Sequence, residues 1–174
     1  MKFIKKKIKD LILIKPDPFI DKRGLFRRIY CYNELQLKKI NFKIKQSNIS
    51  ENKNNQTLRG FHYQKFPHGE DKIITCLQGE VHNIVIDMRE KSKTFMKWKS
   101  FRLSEKNRLG LLVPKGCANA YLTLKKKTWV LYFHSQYYNP GFERSIRFND
   151  PKFNFDWPKK IKVISNKDYT IKFI

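Results

Sequence analysis

Three cysteines, Cys31, Cys76 and Cys117, are all that the 174-residue chain contains, and none falls in a Cys-x-x-Cys spacing. An odd, scattered set counts against a disulfide framework and a thiolate zinc site, and favours a reducing cytoplasm. Long apolar runs are also missing. The basic start, Met1-Lys2-Phe3-Ile4-Lys5-Lys6-Lys7, leads into Leu11-Ile12-Leu13-Ile14, which is too short for a signal-peptide core. No stretch approaches the length that spans a membrane. The four histidines, His62, His68, His82 and His134, include no His-x-His pair. Clustered imidazole ligation of a metal is therefore not expected, and no cofactor is called for. His68 and Glu70 fall in a Pro67-His68-Gly69-Glu70 stretch that reads as a solvated loop.

Acidic residues are scarce: 15 Asp and Glu face 38 Lys and Arg, a formal charge of +23. Such an excess suits phosphate contacts with nucleic acid. Yet the lysines are spread through every segment, with no zinc-finger, RNP or helix-turn-helix pattern, and abundant Ile, Asn and Phe suggest AT-rich codon bias. Nucleic acid is therefore not expected as the partner. A diffuse positive field would still draw a smaller polyanion such as a nucleotide diphosphate.

What is present is a foldable composition, 40% hydrophobic and 14% aromatic, in a length that suits one domain over residues 1–174. Short β-like runs dominate. Lys72–Leu77 and Val81–Asp87 flank Gln78-Gly79-Glu80 and predict a hairpin turning at Gly79. Leu111-Leu112-Val113 meets the turn signal Pro114-Lys115-Gly116 before Ala120–Leu124, and Thr128–Tyr138 reads as a further strand ending at Asn139-Pro140-Gly141. Only Asn33–Ile40 has helical spacing. The expectation is an all-β sandwich or barrel with few short helices, in the jelly-roll and cupin class.

The most informative segment is Leu58-Arg59-Gly60-Phe61-His62-Tyr63-Gln64. An arginine, a glycine that permits close approach and a histidine between aromatic rings suit an anionic substrate that must lose a proton. A lone histidine between aromatics is more often a packed structural residue; its company decides the matter. With Asp21-Lys22-Arg23-Gly24, Gln46-Ser47-Asn48-Ile49-Ser50, Lys72, Gly79-Glu80-Val81, Val85–Arg89, Ser92–Trp98, Leu103-Ser104 with Asn107, Pro114-Lys115-Gly116, Tyr137-Tyr138-Asn139-Pro140 with Glu143, Asn149-Asp150-Pro151, Trp157-Pro158 and Ser165-Asn166-Lys167-Asp168 in order, the chain resembles the dTDP-4-dehydrorhamnose 3,5-epimerase family.

The resemblance implies a cupin-type fold and epimerisation at C3, with or without C5, of a nucleotide-diphospho 4-keto sugar made for bacterial surface polysaccharides. By it, His62 is the base, Asp168 holds the other ring nitrogen of His62, Tyr132 is the acid on the opposite face, and Lys72 stabilises the enolate oxygen. It also implies that Arg23 and Arg59 bind the diphosphate, that Gln46 and Asn48 serve phosphates and sugar hydroxyls, and that Tyr138, Glu143, Lys167 and Asn119 complete the substrate-binding set. A homodimer in which strands near the N-terminus cross to the partner is implied as well. Singly, each residue has an ordinary role, such as a surface ion pair for an arginine or core packing for Tyr132. Jointly they favour a site.

Departures from the family pattern bear on the substrate. Asn119 stands where the family has a histidine, and an amide cannot carry positive charge. Arg28 replaces an acid, Met96 a glycine and Ile49 a histidine. These imply a substrate other than the rhamnose precursor, with a GDP-linked 4-keto heptose and a dTDP-linked sugar inverted at C3 alone both open. A metal-dependent cupin and a catalytically silent binder of an anionic sugar nucleotide are the alternatives. The surviving His62, Tyr132 and Asp168 speak against the second.

Overall fold

Strand β11 (Cys117–Thr123) is buried at all seven positions, and the reason is visible in its letters: Ala, Asn, Tyr, Leu and Thr with no charge. Such a strand must sit inside a sheet covered on both faces. The computed structural model describes residues 1–174. Before β11 come β1 (Lys2–Lys5), β2 (Ile12–Lys15), β3 (Phe19–Asp21), β4 (Gly24–Phe26), α1 (Tyr32–Leu37), β5 (Gln46–Asn52), β6 (Leu58–Gln64), β7 (Lys72–Gln78), β8 (Glu80–Asp87), β9 (Trp98–Ser104) and β10 (Gly110–Val113). After it come β12 (Thr128–His134), a 3-10 turn (Pro140–Phe142), β13 (Glu143–Ser145) and α2 (Asn166–Tyr169).

Two antiparallel sheets form the sandwich. The first runs β1-β2-β10-β7-β12-β5 and the second β13-β6-β11-β8-β9, while β3 and β4 make a separate ribbon. Between the sheets lie Ile74, Cys76, Val81, Val85, Leu111, Tyr121 and Val130. The outer face of the first sheet is covered by Leu35 of α1 and by Phe42 of the chain after it, packed on Ile73 and Leu112. The outer face of the second sheet, with Phe61, Ile84, Ile86 and Ala118, is covered by Phe153, Phe155 and Trp157 of the C-terminal segment. The architecture is the all-β sandwich with few short helices that the sequence predicts.

One prediction is corrected. β7 and β8 do not form a hairpin: β7 pairs with β10 and β12 in one sheet, and β8 with β9 and β11 in the other. Gly79 is the corner between sheets. Its φ of +77 suits glycine, and a Cβ there would fall 2.4 Å from Thr128 Oγ1. Both strands are apolar on both faces, so each needs neighbours within a sheet on either side, which a two-stranded turn cannot supply. The strand predicted over Thr128–Tyr138 stops at His134, where Ser135 N–H donates to Asp71 O at 3.0 Å and both tyrosines beyond it are exposed. The predicted helix is present over Tyr32–Leu37. No helix is long and apolar enough to cross a membrane.

Candidate active site

At one end the sheets part into an open cleft of about 680 Å³. Its walls are inward-facing alternate residues: Gln46, Asn48 and Ser50 of β5, Tyr132 and His134 of β12 and Lys72 of β7 on one side. Facing them are His62 of β6, Asn119 of β11 and Glu143 of β13. The period-2 alternation of strands places these polar groups in the gap while their chain neighbours pack outward.

Asp168 is set by local geometry in the last short helix. Ser165 caps that helix by accepting from the Asp168 N–H at 3.1 Å. The carboxylate, 4% exposed, accepts from Gly60 N–H at 3.3 Å and meets His62 Nε2 at 2.7 Å. A carboxylate only accepts, so Nε2 carries the hydrogen and Nδ1 is left with its lone pair. Burial pushes Asp168 upward, but the hydrogen bond and charge of His62, with Gly60 N–H and Ser165, bring it below the ordinary range. Gly60 has φ +103, and a Cβ there would lie 2.5 Å from Asn119 O; glycine lets β6 close on β11 beside the histidine.

Tyr132 stands on the opposite wall, its ring 6.5 Å from that of Tyr121 and stacked at 5.8 Å on His134. Burial, then the neighbouring phenol of Tyr121, holds its hydroxyl well above the usual phenol range, against the opposing charge of Arg59. Such a phenol keeps its proton at rest. Lys72 Nζ lies 3.0 Å from Glu70 Oε1, and Glu70 Oε2 lies 2.7 Å from His134 Nδ1. Burial raises Glu70, yet His134 and Lys72 together bring it below its ordinary value.

Most cations of the cleft are matched by carboxylates: Lys72 by Glu70, and Lys167 by Glu143. Arg59 is the exception. Its Nε donates to the amide oxygen of Asn52 at 2.9 Å, and no carboxylate pairs with it. An unneutralised guanidinium at the cleft wall is what a diphosphate needs. Tyr138, half exposed, is held by its N–H on Gln46 Oε1 at 3.1 Å and by its hydroxyl donating to Glu143 at 3.3 Å, leaving a ring face open for stacking.

Of the twelve residues expected at a site, eleven line this cleft: His62, Lys72, Tyr132, Asp168, Arg59, Gln46, Asn48, Asn119, Tyr138, Glu143 and Lys167. Arg23 does not. It sits at the tip of the β3–β4 ribbon with an 80% exposed side chain, paired with Asp21. Two departures also fall elsewhere. Arg28 pairs with Glu34 at 2.7 Å outside the cleft. Met96 has φ +59, a backbone that favours glycine, and packs under the C-terminal segment, so its exchange is a matter of turn geometry. Asn119 and Ile49 do face the cleft.

Glu70 is the clearest miss. Expected in a solvated loop, it is buried between a lysine and an imidazole, which offset the cost of burying its charge. His134 was visible only as one of four scattered histidines. Its spacing of two from Tyr132 on one strand was the available signal, since alternate residues share a face. Ser50, Asn52 and Tyr121, joined by hydrogen bonds of 2.9 and 3.2 Å behind Arg59, were not foreseen either.

A model of the family described as dTDP-4-dehydrorhamnose 3,5-epimerase matches residues 5–174. The chain is 36% identical over 169 residues to the dTDP-4-dehydrorhamnose 3,5-epimerase of Salmonella typhimurium, covering 95% of this chain and 91% of that one. It superposes with TM-score 0.96 at 32% identity on the Bacillus anthracis enzyme of that name, solved with TDP and PPi bound, covering 99% of each chain. A Legionella pneumophila relative in complex with dTDP-4-keto-L-rhamnose gives TM-score 0.90 at 32% identity, over 96% of this chain and 89% of that one.

Proposed function

This chain belongs to the dTDP-4-dehydrorhamnose 3,5-epimerase family, and we propose that it inverts C3 and then C5 of a dTDP-linked 4-keto-6-deoxyhexose. The observation that carries the proposal is one cleft with the His62–Asp168 pair on one wall and Tyr132 and Lys72 on the other. His62 Nδ1 takes the proton from C3. The C–H pair becomes the C3=C4 double bond, and the carbonyl π pair moves onto oxygen as an enolate. Asp168 supports the imidazolium that forms. Lys72 faces the developing oxyanion as a preorganised charge. Tyr132 returns a proton to C3 from the opposite side, and its raised pKa suits an acid that must be protonated when substrate arrives. Solvent then takes the proton from His62 and reloads Tyr132, so nothing is consumed. Repetition at C5 completes the inversion.

Arg59 takes the diphosphate and Tyr138 stacks on the base. Arg23 joins them from a second copy. The β3–β4 ribbon shows Phe19, Ile20 and Phe26 at 62%, 67% and 76% exposure, and an isolated two-stranded ribbon with apolar faces needs something to pack on. A homodimer that exchanges this ribbon covers those faces and carries Arg23 to the partner's cleft. Phe26→Ser should convert dimer to monomer in light scattering and raise KM.

The test of function is incubation in deuterated water with dTDP-4-keto-6-deoxyglucose and, separately, a GDP-linked 4-keto heptose. Deuterium at C3 and C5 of the dTDP sugar, absent with His62→Ala, supports the proposal. Label at C3 alone removes the C5 step, and label only in the GDP sugar reassigns the substrate along the lines that Asn119 and Ile49 first suggested. No label in either sugar overturns it.

A further inference from the structure

The cleft contains a second carboxylate–imidazole pair, on the wall opposite the first. His134 is in register with Lys72 across β12 and β7, and both reach the same buried carboxylate, Glu70. Because that carboxylate accepts only, His134 Nδ1 carries a hydrogen, and the ring is fixed with Nε2 pointing to the cleft side. There Nε2 stands 3.4 Å from the Asn48 amide nitrogen, which can only donate, so the resting ring accepts at Nε2 and takes up its second proton where a substrate oxygen replaces this long contact. Across the gap, Asn119 is committed elsewhere: its Nδ2 donates to Asn83 Oδ1 at 2.8 Å and to Ile84 O at 3.3 Å. The residue that stands in place of the family's histidine therefore offers the substrate no N–H.

Charge leads to the same place. Lys72 and Glu70 cancel, so a lysine alone leaves the enolate end with no net positive charge. An imidazolium at His134 restores it. Resting on the keto-sugar reading above, we propose that His134, held by Glu70, is a further catalytic residue, donating from Nε2 to the substrate carbonyl oxygen beside Lys72 and replacing the imidazole that position 119 lacks. Around it stand Glu70 and Lys72 from β7 and the loop before it, Tyr132 on its own strand, and His62 with Asp168 on the facing wall. Lys45 of the chain entering β5 directs its ammonium to Gln136 instead.

The test uses the full-length protein, following solvent deuterium entry into dTDP-4-keto-6-deoxyglucose for His134→Gln and His134→Gln/Asn119→His. Removing one oxyanion donor should slow kcat on the order of 10²-fold with little change in KM. As an acid, His134 also gives wild-type kcat a fall with rising pH, opposite in sign to the rise that His62 gives as the base. That fall should vanish in His134→Gln, and the added histidine at 119 should recover at least part of the rate. Unchanged kcat in His134→Gln overturns the proposal, and so does a lower kcat with an unaltered pH profile, which would mark a structural role only. His62→Ala separates the two levels: exchange that persists there removes the keto-sugar mechanism itself, whereas its loss beside a normal His134→Gln removes only this inference. ¹⁵N-histidine spectra of the His62→Asn protein with the same sugar bound test the point without altering position 134. A doubly protonated His134 ring at neutral pH is expected, and a neutral ring overturns the proposal.

Discussion

In the proposed mechanism Asp168 acts on the substrate only through His62, while its other oxygen accepts from Gly60 N–H. Asp168→Asn keeps an oxygen that can accept from Nε2 but loses the charge that supports the imidazolium, and kcat should drop on the order of 10²–10⁴-fold with the far-UV spectrum preserved. Asp87 shows the opposite case, a buried carboxylate with a structural task. It accepts from Arg89 at 2.7 Å and from Ser92 and Thr94 at 2.6 Å each. Burial would raise it, but those donors hold it far below the usual carboxylate range. A depressed folded pKa gives stability that is present above the unfolded value, about 3.9, and lost as pH falls through the folded one. Thermal midpoints should therefore decline below about pH 4 and be flatter with pH in Asp87→Asn. At this scale the sequence was legible where a residue's chemistry announced itself in a short block, as with Arg59 and His62. It was silent where two ordinary residues became a site only by strand register, as with Glu70 and His134, because that pairing joins positions 64 apart in the chain.

Strands carry the second lesson. Alternation and turn signals located β7, β8, β11 and β12, yet adjacency in sequence said nothing about which sheet each would join. Gly-centred corners look alike whether the chain folds back on itself or crosses to the facing layer. Only the burial of both faces of β7 and β8 distinguishes them. The corner at Gly79 can be tested. Gly79→Ala must hold an L-residue at positive φ, costing about 1–2 kcal/mol, before its Cβ meets Thr128. Gly69→Ala meets Lys115 Cβ at an ordinary 3.5 Å and should change little. Urea unfolding of the pair should show the Gly79 variant losing at least that amount and the Gly69 variant within about 0.5 kcal/mol of wild type.

For the molecule as a whole, the charge of +23 and the paired ions of the cleft divide the labour of binding. On the proposed function, the diffuse field speeds arrival of the substrate's diphosphate, while Arg59 supplies the local contact. Raising salt from about 0.05 to 0.5 M should lift KM severalfold, since the screening length falls from over 10 Å to a few ångströms. Steady-state rates should show kcat almost unmoved. The C-terminal segment is the other whole-molecule feature. It ties to β6 through Leu58 N–H on Val163 O at 2.8 Å, lays Trp157 beside Phe61, and carries the carboxylate that meets His62. The sandwich needs little from residues 158–165, which have almost no regular structure and several exposed lysines. A strap fastened mainly by a few backbone bonds to Gln56 and Leu58 should open before the sheets do. In mild urea, turnover should fade while the β signal still reads native, with hydrogen exchange fastest along the strap. Activity would then work as a latch indicator, reporting whether this stretch of chain has been buckled down.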